Sequence, residues 1–197
     1  MYEIQTYLGA DGLMHCTVCK EPVEAFYPKG SLLEMRKHHR QCACERQAYA
    51  EEAQYYKEKE HRELIARNKK ICFEEKEMEG FTFQNVERDS GVIRIAEEYV
   101  TNWQKMKQNH MGYLFWGPVG TGKSYLAACI ANALLEKEVT VKMTNFNTIL
   151  NDLFAAEDKT EYIRLLNGYE LLIIDDLGVE RSSEYALENI FGVIDWR

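Results

Sequence analysis

Gly117-Pro118-Val119-Gly120-Thr121-Gly122-Lys123-Ser124 fits the pattern G-x-x-x-x-G-K-[ST], with a further glycine inside the loop. Glycine permits backbone angles and a close ligand approach that a Cβ would forbid, so successive N–H groups can turn inward onto the phosphates of a nucleotide. Lys123 brings a point charge to the same oxygens, and the Ser124 hydroxyl suits a magnesium ion carried with ATP. Pro118, Val119 and Thr121 fill the variable positions, and Tyr125 carries the candidate nucleotide-binding stretch into the following segment. Before the loop, the short apolar run Tyr113-Leu114-Phe115-Trp116 predicts a strand. After it, residues 124–137 contain no Gly or Pro and place Leu126, Cys129, Ile130, Ala133 and Leu134 at the three-and-four spacing of a helix face. Strand, loop and helix in that order aim the free N–H groups and positive dipole end of the helix at the phosphates. A glycine-rich turn without a ligand is the bland alternative, and it does not require this context.

A second acidic landmark lies downstream. Leu171-Leu172-Ile173-Ile174-Asp175-Asp176 reads as a buried strand ending in two carboxylates. In a parallel sheet the strand C-termini converge where phosphates sit, so Asp175 is placed to hold magnesium through water and Asp176 to polarise an attacking water. Acidic turn residues after a strand are common, and the order of the two motifs is what favours the active-site reading. Residues 139–143 predict another strand, and 147–153 and 162–166 two short helices, giving an alternating α/β pattern.

Six cysteines and a net charge of −8 frame the rest of the chain. Residues 80–197 hold 17 acidic against 11 basic side chains, so a broad basic field for nucleic acid is excluded and any DNA contact has to be local or shared among subunits. No run has the apolar length of a membrane span, and the first six residues lack the basic flank and apolar core of a signal peptide. A cytoplasmic protein without a membrane partner is expected, in a reducing compartment where spaced cysteines are more often metal ligands than disulfides.

Cys16-Thr17-Val18-Cys19 and Cys42-Ala43-Cys44 are two close pairs separated by 22 residues. Four thiolates would close a tetrahedral shell around a structural zinc, with Cys16, Cys19, Cys42 and Cys44 as ligands; free thiols or redox chemistry are the alternative. His15, His38 and His39 are read as surface residues, and Arg36-Lys37-His38-His39-Arg40 as a solvated face, because no aromatic residue interrupts the run. Residues 45–70 lack Gly and Pro and carry Glu58 with Arg62 and Glu63 with Arg67 at i,i+4, which predicts a long charged helix with a thin stripe of Tyr49, Ala53, Tyr56 and Leu64. Phe81 and Phe83 open a new core near Gly80. Asp89 or Ser90 can cap a helix presenting Val92, Ile95, Ala96, Tyr99 and Trp103 on one face. The resulting division is a cysteine-rich module over 1–47, a charged helical linker over 48–79 and an ATPase domain over 80–197.

The loop Gly117–Ser124, the acidic strand with Glu180 beyond it, the cysteine module, Phe81-Thr82-Phe83 and Thr144-Asn145-Phe146 together resemble the AAA+ helicase loaders of the DnaC and DnaI type, most of all the DnaI-like branch. The resemblance covers nearly the whole chain. It implies a parallel P-loop sheet flanked by helices and ordered 5-1-4-3-2, and ATP-controlled loading of a hexameric replicative helicase onto single-stranded DNA, with self-association through the ATPase domain. It also implies Gly117, Gly120, Gly122, Lys123 and Ser124 as nucleotide ligands, Asp175 as magnesium ligand and Asp176 as activator of water. The family's pattern continues past Trp196-Arg197 into a sensor strand and an arginine finger, so the chain is expected to be the first part of a longer ATPase, with hydrolysis by this part alone left open. Three other readings compete. A transposition helper ATPase of the IstB type shares the ATPase motifs without needing the cysteine module, a small-molecule kinase is disfavoured by the paired aspartates, and a zinc adaptor could bind nucleotide without hydrolysing it.

Overall fold

A computed structural model describes residues 4–86, 91–177 and 191–195. The chain divides into two compact units, Met1–Arg62 and Glu63–Arg197.

The first unit begins with two small antiparallel hairpins. Strand β1 (Thr6–Leu8) pairs with β2 (Met14–Cys16), and β3 (Glu24–Phe26) with β4 (Lys37–His39). Strands of three residues bury little, and the core they enclose is limited to Cys16, Val23 and Cys42 with Ile4, Met14, Cys19 and Cys44 packed around it. A core this small needs a staple to hold. Helix α1 (Ala43–Cys72) follows β4 after three residues, and its last residues, from Glu63, are counted with the second unit. Its expected apolar stripe is weak, with Tyr49 and Tyr56 more than half exposed.

The second unit is organised around the helix after the glycine-rich loop, α4 (Lys123–Leu135). Residues 126–132, Leu134 and Leu135 are all buried, so the helix is enclosed on every side instead of presenting one apolar face. Around it pack α2 (Gly91–Thr101), α3 (Trp103–Gln108), a 3₁₀ turn at Lys76–Gly80 and strand β5 (Val141–Asn145). Cys72 and Phe73 belong to the same cluster, so its packing starts at the end of α1, earlier than the Gly80 boundary read from composition. On α2 and α3 the buried stripe is Ala96, Tyr99, Val100 and Trp103; Val92 and Ile95, expected on that face, are about half exposed. Asp89 and Ser90 lie outside the described residues.

Strand β5 pairs in parallel with β6 (Leu171–Asp175), from Val141 opposite Leu171 to Asn145 opposite Asp175, and α5 (Phe146–Ala155) and α6 (Lys159–Asn167) form the crossover. The second and third strands read from the sequence are therefore direct neighbours. Along β6, Leu171 and Ile173 pack on the α4 cluster while Leu172 and Ile174 pack on Phe146, Ile149, Leu153, Leu166 and Val193. This period-two division between two cores explains the continuous apolar run. Near the end of the chain Val193 is buried, while Phe191 and Ile194 are exposed.

The strand expected at residues 113–116 is not formed. The segment enters no ladder among the described residues; Phe115 packs against the core, while Leu114 is 70% and Trp116 88% exposed. Strand structure is a property of a pair, and an apolar run without a hydrogen-bonding neighbour stays merely extended.

Candidate nucleotide and metal sites

Gly117, Gly120 and Gly122 adopt φ of 147°, 81° and 82°, angles that L side chains rarely reach. At Gly120 and Gly122 a Cβ would meet nothing within 4 Å, so backbone angle and not crowding requires glycine there. Gly122 is the N-cap of α4 and supplies no side-chain cap, which leaves the N–H groups of Lys123, Ser124 and Tyr125 ahead of the first helical bond, Leu126 N–H to Gly122 O at 2.9 Å. An uncapped helix start of this length accepts anions. Thr121 Oγ1 donates to Pro118 O at 2.9 Å and braces the loop, while Val119 projects fully into solvent at its tip. The Lys123 ammonium donates to Gly117 O at 3.1 Å and Pro118 O at 2.9 Å, so it rests on its own loop and pairs with neither Asp175 nor Asp176.

The Tyr125 side chain is turned away to another task. Its hydroxyl donates to Thr82 O at 3.3 Å and its ring stacks on Phe81, which leaves the backbone N–H as its means of meeting a phosphate. One helical residue not singled out from the sequence, Asn132, donates through Nδ2 to Met78 O at 2.8 Å and Phe81 O at 3.0 Å. It is 2% exposed and fastens the segment entering the domain to the helix that follows the glycine-rich loop.

At the far end of the parallel pair, Asp175 closes β6 opposite Asn145. Asp175 Oδ1 accepts from the Asp176 N–H at 3.0 Å, and Asp176 sits in the left-handed region at φ 52°. Asn145 caps α5, its side chain accepting from Thr148 N–H at 2.9 Å. Glu74 accepts from Thr144 Oγ1 at 2.9 Å and Thr148 Oγ1 at 3.2 Å, so a third carboxylate reaches this strand end from just beyond α1. Glu180 lies outside the described residues.

In the first unit, the ligand atoms of Cys16, Cys19, Cys42 and Cys44 lie within 4.8 Å of one another. Four sulfurs about 2.3 Å from a common zinc would stand about 3.8 Å apart, so the cluster has the size and the soft donors that ion needs. The uncommon C-x-C pair has a structural reason. Cys42 precedes the first residue of α1 and Cys44 lies in its first turn, while Glu45 reaches back to accept from Cys42 N–H at 3.2 Å, the reciprocal bond of a capping box. The Glu21 N–H lowers the Cys19 thiol to about 6, whereas lost solvation pushes Cys44 up to about 11 and raises Cys42. The histidines have other partners: His15 bonds Asp11 and Lys20 O, His39 pairs with Glu45, and His38 contacts His39 O. His15 is half-buried rather than on the surface.

Residues 47–197, more than half of the chain, match the family described as IstB-like ATP binding protein. The chain belongs to the IstB-like ATP-binding family. It is similar to the replicative helicase loader DnaC of Escherichia coli (strain K12), 29% identical over 116 residues that cover 56% of this chain and 46% of that protein. The replicative helicase loader DnaI of Bacillus subtilis (strain 168) is 24% identical over 131 residues, covering 64% of this chain and 42% of DnaI. A crystal structure of DnaI superposes with a TM-score of 0.51 at 25% identity, over 66% of this chain and 73% of that one. The chain thus spans about half the length of the curated relatives it matches. Membership of this family accords with the α/β fold, and no helix of the described residues is long and apolar enough to cross a membrane.

Proposed function

We propose that this chain is a cytoplasmic ATP-dependent loader that delivers a hexameric replicative helicase to single-stranded DNA, assembling through its ATPase unit. The observation that carries the reading is the uncapped start of α4 behind three positive-φ glycines, in a chain related to DnaC and DnaI. In this reading the N–H groups of the loop and of residues 123–125 bind the β- and γ-phosphates, and Lys123 exchanges the carbonyls of Gly117 and Pro118 for phosphate oxygens. Ser124 and Asp175 hold magnesium, which neutralises phosphate charge when bound. Asp176 accepts a hydrogen bond from the attacking water. Zinc held by Cys16, Cys19, Cys42 and Cys44 keeps the small first unit folded for partner contact. The cysteine cluster favours this reading over an IstB-type transposition helper, which does not require it.

The test has two parts. A fluorescent ATP analogue with magnesium should bind the chain and bind the Lys123→Ala variant at least tenfold more weakly, as loss of one charge-assisted phosphate contact implies. A tagged chain should co-purify with a homohexameric replicative helicase. Undiminished affinity in Lys123→Ala would falsify the nucleotide assignment, and recovery of a transposase in place of a helicase would favour the IstB-type function.

A further inference from the structure

Read along the chain, Arg36-Lys37-His38-His39-Arg40 contains no Phe, Tyr or Trp. Folding supplies one, and sorts the charges by face. The β3–β4 register extends beyond the two strands, because Tyr27 N–H bonds Arg36 O at 3.1 Å and Arg40 N–H bonds Val23 O at 2.8 Å. Alternation along a strand then puts Lys37 and His39 on one face and Arg36, His38 and Arg40 on the other. The first face is neutralised by its own acids: Lys37 pairs with Glu24 and His39 with Glu45. The second is not. Arg36 and Arg40 have no acidic partner among the described residues, and Tyr27 stands across from them with its ring 4.9 Å from that of His38. Every residue from Arg36 to Arg40 is exposed.

We propose that this face of the ribbon binds single-stranded nucleic acid, with phosphates on Arg36 and Arg40 and a base stacked on Tyr27, whose ring is inclined by 59° to that of His38 beside it. A cationic track beside an aromatic platform is the minimum such a site needs, since every base has a π-face and stacking tolerates any sequence. An acidic protein partner would satisfy the arginines but would have no use for the ring between them. The patch is local, as a chain of net charge −8 demands of any nucleic-acid contact. The proposal concerns the first unit and does not rest on the ATPase reading.

The experiment uses the full zinc-loaded chain without nucleotide and a fluorescein-labelled oligo-dT of about 20 residues, long enough for one aromatic and cationic site, followed by anisotropy at increasing salt. The chain should bind at 50 mM salt, and Arg36→Ala with Arg40→Ala should weaken binding at least about tenfold and flatten the log–log salt slope by about 1.4, two single-strand phosphate contacts. Tyr27→Ser should cost at least about fivefold and Tyr27→Phe little, as stacking requires. Lys37→Ala, on the neutralised face, should bind within twofold of the parent. Zinc content equal to the parent's shows that a variant has folded. The proposal is overturned by absence of binding at 50 mM salt, by an arginine variant that is zinc-replete and binds normally, by an equal loss in Lys37→Ala, or by polyglutamate displacing the oligonucleotide as well as unlabelled dT does.

Discussion

The ring of Phe81 stacks on that of Tyr125, centroids 4.5 Å apart and planes inclined by 27°, one residue beyond Ser124 at the N-terminal end of α4. Aromatic pairs of this geometry contribute about 0.5–1.5 kcal/mol beyond the area they bury. Tyr125→Ala should therefore destabilise the second unit by about 2 kcal/mol, pair and buried area together, and Tyr125→Phe by less than about 1 kcal/mol, since it keeps the ring and loses only the hydroxyl's contacts with Thr82 O and the Cys129 thiol. Denaturant unfolding followed by Trp fluorescence measures both; equal losses in the two variants would show that the hydroxyl, not the stack, is what matters.

Asn132 gives a second stability test. Its removal strands the Met78 and Phe81 carbonyls against a buried helix, so Asn132→Ala should cost about 1–3 kcal/mol. Amide hydrogen exchange should accelerate in residues 76–85 before it does in β5 and β6. Uniform acceleration across the unit would mean that Asn132 supports the whole core and is no local fastener.

The thiols of the metal-free first unit should differ sharply in reactivity. As long as the unit keeps its fold after chelation, iodoacetamide at pH 7 should alkylate Cys19, lowered to about 6, much faster than Cys44, pushed up to about 11, and equal rates would mean that losing the metal unfolds the unit. Peptide mass spectrometry after chelation reads the order. Zinc should protect all four cysteines, and labelling at the same rates with and without added zinc would speak against a shared metal.

Glu170 predicts a pH dependence. The Lys107 ammonium, followed by hydrogen bonds from Thr140, holds its carboxyl below the usual range. Because the folded pKa is depressed, the contribution is fully present above about pH 4.5, the region of an ordinary unfolded glutamate, and is lost as pH falls through the folded value. The pair is about a third to a half exposed, so the amount is under about 1 kcal/mol. Glu170→Gln should flatten that acid limb of the stability profile. An unchanged limb would assign it to other carboxylates.

Local pattern carried those elements whose cause is local. The glycines and Lys123-Ser124 required a loop at a helix start, and the run from Leu171 to Asp175 required a buried strand; the structure has the loop and a strand packed on both faces, although all five strand residues are only partly buried. The thiol cluster was also legible, although its capping by Glu45 is visible only once Cys42 is seen to precede the first turn of α1. Contacts between distant positions left no such trace. Asn132 meets Phe81 across 51 residues and Glu74 meets Thr144 across 70, and no spacing rule links either pair. Residues 113–116 show the converse failure: apolar β-forming residues state a preference for a strand, but the partner that makes one is not encoded in the run itself.

Asp176 holds a left-handed backbone angle at the end of the acidic strand, a conformation that costs a residue with a Cβ about 1 kcal/mol relative to glycine. Aspartate is among the few side chains that tolerate it. Selection for thermal stability alone would accept glycine there and discard the carboxylate, so under the role proposed for Asp176 durability and chemistry pull in opposite directions at this position. An engineered version of the chain optimised by backbone criteria would melt later and carry one acid fewer beside Asp175.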